Sequence, residues 1–340
     1  MNHVSRVSVG KRSLVVVVTV VMSILVSSSI AASSVFAAPK GIFAKFAQCP
    51  TSVPGVVLCQ YAEVTGGELT IGSVRVPIDK TIVLQGGTFP AGRLNLYFLL
   101  PAANGESISP TELDVPGGLR TIIGCPDSKG RGSYWTHFGR DACHGFSHGR
   151  EHGDRVTMTL EGVANQSNPA ILDLAAFIFE EGTGLVFPGR LHLKNALLGE
   201  ECFIGSEAHP IELHFTAATT SPPPPNQPIT GKVGELGTTE EGGYEVNTTT
   251  NTTLVDNSFS IPPAEGCGAN PHLASILDTR IDQTLGLESP AGRNTAILTG
   301  THRLATAKAV LASEQFPTAE NPPPPPHEHH HPHHHWWPGR

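Results

Sequence analysis

The chain has 340 residues with 22 Lys and Arg against 30 Asp and Glu, so its formal net charge is −8 at pH 7. Nucleic acids need a basic binding surface, and so do anionic lipid surfaces, so this balance argues against both as partners. Charged residues make up only 15% of the chain, beside 36 Gly and 29 Pro. This composition predicts many turns and few long amphipathic helices.

The N-terminal segment has the three parts of a secretory signal peptide. Arg6, Lys11 and Arg12 give a positive start, an apolar run covers 13–26, and small residues follow. Cleavage is predicted after Ala37, which leaves an exported chain with a net charge of −11. The apolar run of about 14 residues is shorter than the roughly 20 that cross a bilayer, and an uncleaved anchor is the alternative. We expect no integral membrane span in the mature chain.

Short strands and turns dominate the pattern from residue 38 to 316. Alternating segments at 68–71 and 74–78 flank Gly72-Ser73, which predicts a hairpin. The fold class predicted is mainly β, with antiparallel sandwich-like sheets in one or two lobes. Two lobes would cover about 38–125 and 155–316, separated by a Gly- and His-rich loop at 126–154.

One helix interrupts the β pattern. Pro271 suits a first helical position, apolar residues recur on one face, and Gly286 ends the segment, so we predict a helix at 271–285. Residues 317–340 form a Pro- and His-rich tail without a packing pattern, and we expect it to be disordered.

An even number of cysteines in an exported chain predicts three disulfides. Sequence alone leaves every pairing open, and nearest neighbours give Cys49–Cys59, Cys125–Cys143 and Cys202–Cys267. A metal site is the alternative, but the paired C-x-x-C spacing of zinc sites is missing. The polyproline segment at 221–228 is either an interdomain linker or a stiff surface crossing, and a Cys202–Cys267 disulfide would favour the crossing.

Several short strings carry a resemblance to a family. They are Phe46–Pro50, Leu198-Gly199 with Cys202–Ser206, Thr220–Pro222 through Gly231–Gly234, Leu254–Asn257, Gly266–Gly268 and Leu285–Leu298. On these strings the chain resembles an uncharacterised family of exported actinobacterial proteins. The resemblance covers most of 40–313, supports export, and implies no activity. The loop at 126–154 and the His-rich tail depart from it.

Two His-rich segments are candidates for weak binding of Zn²⁺, Ni²⁺ or Cu²⁺, because several neutral imidazoles can coordinate one ion. In the first, a spacing of four would align three imidazoles on a helix, although interspersed glycines oppose a helix and a solvated loop is the alternative. The second is the tail, whose alternative is low-complexity sequence without a role. The candidate ligands are His137, His144, His148, His152, His327, His329, His330, His331, His333, His334 and His335.

The string Gly145-Phe146-Ser147-His148-Gly149 fits the G-x-S-x-G turn of serine hydrolases. That turn needs a buried strand before it and a helix after it, and the polar flanks here provide neither. No coherent catalytic set is visible, so we name no catalytic or cofactor-binding residue.

The sequence therefore favours a secreted, non-enzymatic structural or binding protein of the envelope or extracellular space, with cell-wall polymers or other envelope proteins as partners. An extracellular metal-binding protein is the first alternative and an envelope hydrolase the second.

Overall fold

The computed structural model describes residues 38–124, 153–268 and 271–316. Within them the protein is mainly β, as the sequence predicts, and its strands form a 14-stranded antiparallel sheet. The strands are β1 Leu58–Ile71, β2 Val74–Pro77, β3 Ile82–Pro90, β4 Leu96–Leu100, β5 Leu113–Asp114, β6 Thr157–Gly162, β7 Ile171–Asp173, β8 Leu185–Lys194, β9 Phe203–Ile204, β10 Ile211–Phe215, β11 Glu235–Glu241, β12 Tyr244–Asp256, β13 Ala264–Glu265 and β14 Thr295–Thr306.

The helices of the described residues are few and short. They are a 3₁₀ helix Gly41–Phe46 and the α-helices α1 Gly118–Ile123, α2 Leu174–Phe179, α3 Pro271–Leu285 and α4 Ala307–Ser313. Helix α3 has the bounds that the sequence predicts, and Gly286 follows it with a φ of 74°. Among the described residues, no helix combines the length and the apolar character needed to cross a membrane.

The sheet curls back on itself. Its main path runs β11-β12-β14-β1-β3-β4-β7-β8-β6-β5, and β10 pairs with β8 beside that path. Just after β10, Thr216 and Val255 of β12 exchange two backbone hydrogen bonds of 3.0 and 2.9 Å. The path from β12 through β1 and β4 to β8 and β10 therefore returns to β12.

Two register shifts lie at the same level of the sheet and help it to bend. Strand β1 shifts between Val64 and Gly66, and β12 shifts between Thr249 and Thr252. Gly300 of β14 lies between them, paired with Val64 on one side and Thr252 on the other. Because a β-bulge bends and twists its strand, two neighbouring bulges increase the local curvature.

The main hydrophobic core lies inside the curl and beneath α1 and α3. It contains residues from strands at both ends of the sheet, such as Val76, Leu193 and Phe215. These residues share one buried cluster with Ile122 of α1 and Ile281 of α3. A second, smaller core packs the 3₁₀ helix and α4 against β1, β12 and β14, and contains Phe43, Phe46, Val246, Ala305 and Val310. Strands that precede residue 125 and strands that follow residue 155 thus share one core.

Within the described part of the chain, two disulfides fasten segments to the sheet. Cys49–Cys59 ties the segment after the 3₁₀ helix to β1, and Cys202–Cys267 ties the start of β9 to the segment before α3. Both are pairs that nearest-neighbour pairing predicts. Cys125 and Cys143 lie outside the described residues.

The polyproline segment is a surface crossing. The Asn226 side-chain amide donates to the carbonyl oxygens of Asn257 and Asn294 at 2.9 and 2.8 Å, and the Asn257 amide donates to that of Gln227 at 2.8 Å. Buried side-chain amides that bond to backbone in this way hold a segment in place. The Cys202–Cys267 disulfide, which flanks the segment, agrees with the crossing.

Candidate ligand-binding cavity

A cavity of about 880 Å³ opens inside the curled sheet and is partly open to solvent. Strands β1, β3, β4, β12 and β14 form one wall, and β6, β7, β8 and α2 form the opposite wall. Most of the lining is apolar, and it includes Leu84, Phe98, Leu100, Leu160, Phe187 and Leu254. Small-molecule sites typically have volumes of about 300–1,000 Å³ and apolar walls.

Strand β4 shows the effect of the cavity on burial. All five of its residues, including Leu96, Phe98 and Leu100, are only partly buried although β4 is paired on both sides. Phe98, Leu99 and Leu100 line the cavity, so part of their apolar surface is open to it. Each Å² of such surface that a ligand covers would contribute roughly 25 cal/mol.

Helix α2 closes part of the cavity with Phe177. The Asp173 carboxylate caps the helix by accepting the N–H of Ala176 at 3.0 Å. At the other end Glu180 adopts a φ of 56°, and its carboxylate accepts the N–H of Val233 at 2.8 Å. These contacts at both ends fix the short helix, so that Phe177 is buried against the cavity while Phe179 stays exposed.

His302 is a polar group on the apolar wall. It lies on β14 between Ala62 of β1 and Thr249 of β12, and its ring meets the Phe177 ring edge-on at 5.8 Å between centroids. Burial, with a smaller effect from Arg303, lowers the pKa of His302 to about 4. The imidazole is therefore neutral at neutral pH. Among the described residues, no hydrogen bond engages its ring nitrogens.

Three of the four Glu and Lys side chains that line the cavity form ion pairs. Glu63 accepts from Lys45 and, at 2.7 Å, from Arg303, and these cations hold the pKa of its carboxyl below the usual range against the opposing effect of burial. Lys194 contacts Glu112 at 3.2 Å. Glu106, on an exposed loop, is the charged lining residue without an ion pair within the described part of the chain.

A third pairing involves Glu161, which bonds to Arg190 at 2.9 Å and to Nδ1 of His192 at 3.0 Å. Nε2 of His192 lies 2.9 Å from the carbonyl oxygen of Glu200, so both ring nitrogens are engaged. Arg190 and His192 also stack on Phe203. This cluster holds β6, β8 and β9 together.

The candidate metal ligands of the sequence, His137, His144, His148, His152 and the seven histidines at 327–335, lie outside the described residues, as does Ser147. Within 38–124, 153–268 and 271–316, no group of three or more His, Cys, Asp and Glu side chains is placed to hold a metal ion. The cavity was not predicted from the sequence, because its wall combines residues from strands far apart in the chain. The signal available in the sequence was the two runs of three apolar residues, Phe98–Leu100 and Phe177–Phe179, which break strict alternation.

The described residues thus define a curled antiparallel sheet that holds an apolar cavity with one neutral imidazole. No family model matches the chain, and no curated protein or solved structure matches it. The functional argument therefore depends on the geometry of the cavity itself.

Proposed function

We propose that this is an exported, non-enzymatic binding protein that takes up a small apolar molecule in the cavity. The observation that carries the proposal is the 880 Å³ space with apolar walls inside the curled sheet. Burial of apolar surface would drive uptake, and the paired strands would keep the site largely formed before binding.

Other features support an extracellular setting. The two disulfides are typical of oxidising compartments outside the cytoplasm. The N-terminal segment at 1–37 has the pattern of a signal peptide. An apolar molecule is poorly soluble in the aqueous medium outside the cytoplasm. A protein that encloses such a molecule would store it or carry it through the aqueous part of the envelope.

Titration with a neutral apolar fluorophore tests the proposal. N-phenyl-1-naphthylamine emits more strongly in apolar surroundings, and we expect saturable binding to the purified protein. The blocking variant is Ala62→Trp, because Ala62 lines the cavity between His302 and Leu84. The larger ring would occupy the space and weaken binding by about tenfold or more, which corresponds to roughly 1.4 kcal/mol.

The matched control is Leu236→Trp, since Leu236 is 65% exposed on the edge strand β11 and does not line the cavity. It should bind the fluorophore like the unmodified protein. Equal binding by both variants, or emission that never saturates, would place the fluorophore on the surface and reject the proposal. Circular dichroism spectra check that both variants are folded.

A further inference from the structure

We infer that the ligand is an uncharged amphipathic molecule whose single hydroxyl or carbonyl group bonds to His302 while its hydrocarbon part fills the rest of the cavity. The inference deepens the proposed function and depends on it. It excludes fatty acids and cationic amphiphiles as the preferred ligands.

The charges of the wall give the first argument. Glu63, Glu161 and Lys194 each have an oppositely charged partner on the protein. A carboxylate brought into the cavity would lose its hydration without meeting a free cation, and an ammonium group would meet only Glu106, which is exposed to solvent on its loop. Burial of an unpaired charge is strongly unfavourable, so an uncharged ligand is preferred.

The polar end of the cavity gives the second argument. A neutral imidazole offers one donor and one acceptor nitrogen, and both are free of hydrogen bonds to the described residues. Gln60 lies two residues from Ala62 along β1 and lines the same space, and the described hydrogen bonds likewise leave its side-chain amide unengaged. A purely hydrocarbon ligand would cover these groups without satisfying them.

The order of polar and apolar residues along the cavity wall gives the third argument. Along β14 the lining changes from His302 through Gly300 to Leu298, and the neighbouring β12 contributes Leu254 beside Leu298. Beyond them lie Leu160 and Phe187 of the opposite wall. This part of the wall thus changes from polar at His302 to apolar at Leu298 and Leu254, which matches a molecule with one polar end group.

Competition against N-phenyl-1-naphthylamine at pH 7 tests the inference with four compounds of equal chain length: decane, 1-decanol, decanoate and decylammonium. We expect 1-decanol to displace the fluorophore at lower concentration than either ion. In His302→Phe, the affinity for 1-decanol relative to decane should fall by about fivefold to tenfold, because one hydrogen bond is lost. His302→Gln keeps a donor and an acceptor and should retain most of the preference.

The control is His209→Phe, since His209 is exposed and outside the cavity. If the unmodified protein binds neither the fluorophore nor decane, the proposed function itself fails. If both bind but decanoate or decylammonium equals 1-decanol, the inference is overturned and the proposed function stands. The inference is likewise overturned, and the proposed function stands, if His302→Phe lowers the affinities for decane and 1-decanol equally. The ligand series on the unmodified protein decides the question even if the variants do not fold.

Discussion

Gly300 shows how a single residue sets the curvature of the sheet. A Cβ added there would overlap the carbonyl oxygen of Glu63, which is backbone and cannot move aside. Gly300 also faces the two register shifts of β1 and β12. Only a residue without a side chain allows β14 to approach β1 this closely, and the cavity lies on the concave side of this bend.

Gly300→Ala should therefore destabilise the protein by about 1–3 kcal/mol, as overpacking typically does. The control is Gly237→Ala, on the edge strand β11, where an added Cβ meets no atom within 4 Å. It should change the free energy of unfolding by no more than about 0.5 kcal/mol. Urea denaturation followed by circular dichroism measures both, and equal effects of the two substitutions would contradict the close approach.

His302 gives stability a dependence on pH. Its pKa of about 4 lies below the value of roughly 6.5 in an unfolded chain. Between these two pH values the unfolded state binds more protons than the folded state. The contribution of His302 to stability is thus complete above about pH 6.5 and is lost as the pH falls towards 4.

Other groups titrate in the same range, so the contribution of His302 must be isolated by difference. Burial raises the pKa of Asp256. This carboxyl therefore makes the folded state more stable as the pH falls, an effect opposite in sign to that of His302. We expect the free energy of unfolding to fall less steeply from pH 6.5 to 4 in His302→Phe than in the unmodified protein. His209→Phe serves as the control. Parallel curves for all three proteins would show that His302 does not titrate in this way.

At the scale of elements, the two disulfides seen among the described residues close loops of different length. The cysteines are 65 residues apart in Cys202–Cys267 and 10 apart in Cys49–Cys59. Loop-closure entropy predicts stabilisation by about 4 kcal/mol for the longer loop and about 3 kcal/mol for the shorter one. Replacing both cysteines of Cys202–Cys267 by alanine should thus destabilise the protein more than replacing both cysteines of Cys49–Cys59. Chemical denaturation of the two double variants measures the order, and the reverse order would contradict the entropic account.

Local patterns predicted several elements correctly. The hairpin of β1 and β2 turns at Gly72-Ser73 as expected, and α3 has the predicted bounds. Strand β8 runs from Leu185 to Lys194 without interruption and continues through Pro188. Pro188 is tolerated because its backbone carbonyl oxygen accepts from Val163 while its missing N–H is not needed.

Helices α1 and α2 were not predicted, because six residues give too little periodicity to detect. Their formation depends on tertiary contacts: α1 buries Leu119, Ile122 and Ile123 in the core, and α2 is held by its two end contacts. Short helices of this kind are stabilised by packing more than by propensity.

At the scale of the whole molecule, alternation and turns predicted the β class, but not the contact between Thr216 and Val255 that brings the end of β10 back to β12. That contact joins residues 39 positions apart, and no local pattern encodes it. Export, the resemblance to exported actinobacterial proteins, the two-lobe division and the His-rich metal sites stay predictions.

The most direct test of the cavity's function is to locate a ligand in it. Crystals of the protein grown with a terminally brominated decanol would give an anomalous signal from the bromine. The account predicts a bromine peak inside the curled sheet, near Leu160 and Phe187. A peak found only outside the cavity, or an empty cavity at saturating ligand, would contradict it.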